Sequence, residues 1–138
     1  MAANTSPIYT RLADIQWTTT VVKTASNIYD GTAGTTVIFT ADATNGGFLR
    51  SIKAKPNSTN IATVVRFWIN NGSTSGTAAN NVLYQEFSLP AITASATVAQ
   101  PEIEIPMNLA LPAAYVIICA VATTVANGWY FTGVGGKY

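Results

Sequence analysis

Along most of this chain apolar residues recur at every second position, the spacing of a pleated strand whose successive side chains point to opposite faces. The clearest run goes from Ile103 through Ile105, Met107 and Leu109 to Leu111, with Glu102, Glu104 and Asn108 between the apolar positions. Pro106 falls inside it and has no N–H to donate, so this strand must lie at a sheet edge or break at a bulge. Similar runs, rich in β-branched and aromatic residues, occupy 13–23, 35–43, 47–55, 62–70, 81–90, 101–112, 113–123 and 128–136. The separators DGTAGT, TNGG, PNSTN, NNGSTSGTAANN and TTVANG supply the Gly, Asn, Asp and Pro that reversals of the backbone require. No stretch reads as a helix. Eight strands at nearly even spacing predict an all-β chain, an antiparallel β-sandwich, with the eight-stranded jelly roll the best match in strand number.

Two stretches depart from simple alternation. In YVIICAV, Tyr115, Ile117, Cys119 and Val121 fall on one side and Val116, Ile118 and Ala120 on the other, so both faces are apolar. Only one face of a sandwich strand meets the core, and the second needs another cover. The covers available are the amino-terminal arm or another subunit, which makes Val116 and Ile118 candidate interface residues. In VVRFWINNG, Val65, Phe67 and Ile69 form one face and Val64, Arg66, Trp68 and Asn70 the other. An Arg beside a Trp on a face away from the core is the pairing most enriched in interface hot spots. Arg66 and Trp68 are therefore expected to meet a neighbouring subunit. The alternative is a core in which Arg66 pairs with a carboxylate such as Glu86 on the next strand.

Composition adds weight to assembly. Only 9% of the 138 residues are charged, against about 25% in an ordinary soluble domain, so the polar surface rests on Thr, Ser, Asn and Gln. A net charge of +1 gives no electrostatic case for nucleic acid; the one basic cluster, Arg50, Lys53 and Lys55, reads as a solvated strand end. No apolar run reaches membrane-spanning length and no secretory signal opens the sequence, so a chain folded in the cytosol is expected, with neither membrane nor nucleic-acid partner. Residues 1–12 form an extended amino-terminal arm, anchored by Ile8, Tyr9 and Leu12, that is expected to lie against a neighbour; residues 13–138 form a single sandwich domain.

The segments NGGFLRSIKAKPNSTNIATVVRFWINNGS, NNVLYQEFSLPAIT and IEIPMNLALPAAYVIICAV resemble small structural proteins of tailed bacteriophages, over residues 28 to 136. The shared elements are an Arg-Ser-Ile-Lys strand, a strand closing in Asn-Asn-Gly, and Leu-Pro after each of two later strands. The resemblance implies a virion protein made in the host cytoplasm, a capsid decoration (head auxiliary) protein of jelly-roll type. It also implies a homotrimer, with the major capsid protein or other virion proteins as partners. A carbohydrate- or receptor-binding module of a phage tail or fibre is the alternative.

Residues that carry chemistry fit that picture. With no histidine in the chain, His-based acid–base catalysis, Ser-His-Asp triads and His-ligated metals are excluded. Cys119, the single cysteine, reads as a buried structural thiol. Glu102 and Glu104, two apart on one strand face, read as an outward surface rather than a glycosidase pair. Asp30 and Asp42 read as turn formers rather than calcium ligands. Trp17 and Trp129 alternate with apolar neighbours and read as core. Neither an enzyme nor a cofactor is expected.

Overall fold

The structure, a computed structural model, describes residues 10–26 and 28–138. Its strands are β1 (Leu12–Trp17), β2 (Thr36–Thr40), β3 (Gly47–Pro56), β4 (Thr63–Asn70), β5 (Asn81–Leu89), β6 (Ile103–Leu111), β7 (Val116–Val121) and β8 (Trp129–Lys137). One short 3-10 turn, Ala78–Asn80, precedes β5. Two four-stranded sheets result: a front sheet in the order β1-β8-β3-β6 and a back sheet in the order β2-β7-β4-β5. All pairings are antiparallel.

That order is the one produced by a single long hairpin folded over on itself. β4 pairs with β5, β3 with β6, β2 with β7 and β1 with β8, and successive pairs fall alternately in the two sheets. The molecule is thus a jelly-roll sandwich, the arrangement that strand number matched best and that the strand order now fixes. Pro106 sits on β6, an edge of the front sheet, and the register of β3 and β6 shifts between Leu49 and Ser51 beside it, with Asn108 at φ 47°. Edge and bulge coincide, so the missing N–H costs no ladder bond.

The core lies between the sheets. Leu49, Ile52, Ile105, Met107, Leu111, Trp129 and Phe131 from the front meet Ile38, Phe39, Val65, Phe67, Ile117, Cys119 and Val121 from the back. The Phe67 and Phe131 rings join the two layers edge to face, their centroids 6.0 Å apart. Gly133 allows this packing, because a side chain there would lie 3.2 Å from both Leu49 and Phe39. Trp129 is core, as expected.

β1 departs from expectation. It ends at Trp17 rather than continuing to residue 23, and it begins at Leu12, which belongs to the strand instead of the arm. Its faces are also reversed. Ile15 and Trp17 are 55% and 61% exposed, while the Gln16 amide reaches across to β2, donating to Thr40 O at 2.8 Å and accepting from Thr40 N–H at 2.9 Å. Trp17 is therefore not core: its partner position is the open face of the front sheet. Ile8 and Tyr9 of the expected arm lie outside the described residues.

Candidate functional site

The outer face of the back sheet holds the Arg66–Trp68 pair, and the chain itself covers it. Trp68 is fully buried and Arg66 nearly so. The segment between β1 and β2 lies over both: Trp68 Nε1 donates to Tyr29 O at 2.7 Å, and Gly31, at φ 72°, rests its Cα against the indole. A side chain at Gly31 would stand 3.0 Å from Trp68 Cγ. The Arg66 guanidinium uses all three nitrogens. Nε donates to Glu86 Oε1 at 2.8 Å, Nη1 to Ser26 O at 3.1 Å and Nη2 to Tyr29 Oη at 2.8 Å, with the Tyr29 ring stacked 3.9 Å away.

These contacts correct the expectation that Arg66 and Trp68 meet a neighbouring subunit. The cross-strand ion pair with Glu86, its register partner, is the arrangement found. Ile118 and Ala120 join Trp68 in the same covered cluster, with Val116 and Leu83 at its margin. Among the described residues, the second apolar face of β7 is covered by the chain itself, through the segment that holds Ser26, Tyr29 and Gly31; the DGTAGT turn that begins there at Asp30 was legible as a turn and not as a lid. The glycines were the available signal, since Gly31 and Gly34 both take positive φ.

The outer face of the front sheet has no such cover among the described residues. Trp17 lies across from Thr132, and Thr132 from Lys53, so one cross-strand row runs from an exposed indole into polar residues. Ile15 pairs with Val134, and Tyr130, 40% exposed, follows on β8. Farther along, Lys53 bonds Glu102 and Arg50 approaches Glu104 at 3.8 Å. The bond from Lys53 holds the Glu102 carboxyl below the usual carboxylate range and raises the Lys53 ammonium above its own. Each glutamate therefore has a cation from β3 beside it, the arrangement of an outward, ion-paired sheet face.

The remaining polar candidates serve the fold. Asp30 Oδ1 accepts from Thr32 Oγ1 at 2.7 Å and Thr32 N at 3.0 Å, and these bonds hold its carboxyl below the ordinary range. Asp42 Oδ1 accepts from Asn45 N at 2.9 Å and Thr44 N at 3.0 Å with the same consequence. Both are Asx turns, the bonds that favour aspartate where the chain reverses. Burial in the core pushes the Cys119 thiol well above its ordinary value, which leaves it protonated and inert.

Three comparisons, with protein-family models, with curated proteins and with solved structures, find no match to this chain.

Proposed function

We propose that the protein is a non-enzymatic structural subunit of a bacteriophage virion, a head decoration protein that assembles with copies of itself and binds a completed shell of major capsid protein. The observation that carries this reading is the bare apolar surface on the front sheet, where Ile15, Trp17 and Tyr130 stand exposed on adjoining strands. A chain with only 9% charged residues has little charge with which to keep such a surface in solution, and assembly would bury it. The segments that resemble phage structural proteins support the same role, and the resemblance implies three copies.

The mechanism is mass action. A subunit that binds the assembled shell and not its separated components stabilises assembly, by roughly 2.7 kcal/mol per site at a free concentration a hundredfold above its dissociation constant. The test is electron microscopy of virions with and without the protein. Density fitting the sandwich at regular positions on the head, and heads that fail at lower temperature without it, are the expected results. Virions in which it occupies only the tail, or none that contain it, contradict the proposal.

The row from Trp17 through Thr132 to Lys53 supports a second reading, a carbohydrate-binding face. It leads into a shallow hollow of about 490 Å³ lined by Lys53, Lys55, Gln100, Glu102 and Thr132. An indole platform flanked by polar groups suits a sugar ring. Loss of glycan binding on Trp17→Ala, with oligomer mass unchanged, would favour it over the shell.

A further inference from the structure

Among the described residues, three of the four sheet edges carry a bulge or a proline that obstructs strand addition, and the fourth carries neither. β2 has an extra residue between Val37 and Phe39, and the Gln16 amide caps its open side at Thr40. β5 has an extra residue opposite the step from Phe67 to Trp68. β6 has Pro106 and the register shift beside it. Bulges and prolines are what natural sheets use to prevent edge-to-edge pairing. β1, in contrast, runs in unbroken register with β8 from Leu12–Lys137 to Trp17–Thr132. It contains no proline or lysine, and its single charge, Asp14, accepts a hydrogen bond from Gln16 Nε2.

The hydrogen bonds give the polarity of that edge. Thr18 N donates to its register partner Phe131 at 3.0 Å. Antiparallel bonding alternates, so Leu12, Asp14 and Gln16 bond to β8, and the N–H and C=O groups of Ala13, Ile15 and Trp17 face outward. We propose that this edge pairs with β1 of a second copy of the chain, antiparallel, about a two-fold axis at Ile15.

The segment Ala13-Asp14-Ile15-Gln16-Trp17 is self-complementary about that residue. With Ile15 opposite Ile15 of the second copy, Trp17 falls opposite Ala13, a large side chain against a small one. Asp14 falls opposite Gln16, an uncharged side chain, so no like charges meet across the axis. Of the two neighbouring registers that keep the outward groups paired, one sets Ala13 opposite Ile15 and brings Asp14 against Asp14, two like charges, and the other sets Ile15 opposite Trp17, two large side chains, and leaves Ala13 opposite Thr19, beyond the end of β1. Identical edges joined this way close on a two-fold axis and merge the two front sheets into one. The proposal deepens the assembly role and rests on it for the expectation that the chain associates with itself. It departs from the three-fold arrangement that the resemblance implies, because a two-fold contact joins copies in pairs.

Sedimentation of the full chain at micromolar concentration, with two variants, tests the contact. The wild type is expected to dimerise. Ile15→Lys, which sets two ammonium groups at the axis, should weaken dimerisation roughly tenfold or more while the melting temperature holds. Ile15→Cys should form a disulfide between copies on mild oxidation, since paired strand positions lie about 5.5 Å apart, within disulfide reach. Cys119 is buried and does not compete; Val82→Cys on β5 should remain uncrosslinked. A wild type that stays monomeric, association indifferent to Ile15→Lys, or no crosslink at position 15 overturns the proposal. Shell binding measured on the same proteins shows separately whether the virion role stands.

Discussion

Each sheet turns a tryptophan away from the core, and the two are treated in opposite ways. On the back sheet Trp68 disappears beneath Tyr29 and Gly31, its Nε1–H satisfied by a carbonyl and its neighbour Arg66 bonded on every side. On the front sheet Trp17 stands 61% exposed at the rim of an edge strand. Both sit in strands with the same period-two pattern. What separates them, among the described residues, is the loop that follows β1, which crosses the back sheet and not the front one. The apolar surface of Trp68 is used in folding; that of Trp17 stays in contact with solvent in the single chain.

Substitutions at the two tryptophans should therefore divide cleanly between stability and association. Trp68→Ala is expected to cost about 3–5 kcal/mol of folding stability, as aromatic truncations in cores do, measured by denaturant unfolding. A loss below about 1 kcal/mol would mean that the covering segment does not depend on the indole. Arg66→Lys should cost about 1–3 kcal/mol, because a lysine keeps the charge but cannot reach Glu86, Ser26 and Tyr29 together. If Arg66→Lys unfolds at the wild-type midpoint, the three-way contact contributes nothing. Gly31→Ala should cost about 1–2 kcal/mol, since alanine at φ 72° strains the backbone and its methyl meets the Trp68 ring.

How much of this could be read beforehand differs between the two faces for a physical reason. Strand positions were legible because alternation is local: the run at 47–55 is β3, Gly47–Pro56, and the missing N–H of Pro106 called for an edge or a bulge, of which β6 has both. Glu86 was also legible as a partner of Arg66, since adjoining strands of similar pattern bring such pairs opposite one another. Which face of β1 turns inward was not legible. Ile15 and Trp17 make as good a core face as any in the chain, and only the bonds from Gln16 to Thr40, twenty-four residues away, reverse it. The cover over Trp68 was hidden for the same reason. Period two says that a face is apolar, and long-range contacts decide what lies on it.

On the exposed side the effects on folding are small. Trp17→Ala should leave unfolding within about 0.5 kcal/mol of wild type and weaken self-association, as seen by sedimentation; a large drop in stability would place Trp17 in the core after all. Acid titration offers the mildest test of the two Asx turns, Asp30 within the covering segment and Asp42 between β2 and β3. Asp30 and Asp42 are held below the ordinary carboxylate range in the fold, so each contributes stability that is present above that range and lost as pH falls through the lowered value. Carbon-detected NMR should find both midpoints lower in the folded than in the urea-unfolded protein, and equal midpoints would remove the Asx turns from the account.

The contrast between a closed face and an open edge is tested most directly by hydrogen exchange at the backbone amides of Ala13, Ile15 and Trp17, followed as protein concentration rises. These amides should exchange freely in dilute protein and become protected as copies pair, while the indole N–H of Trp68, bonded to Tyr29, stays equally protected at every concentration. Protection of the β1 amides that is already complete at the lowest concentration, or that never changes with it, would contradict the account.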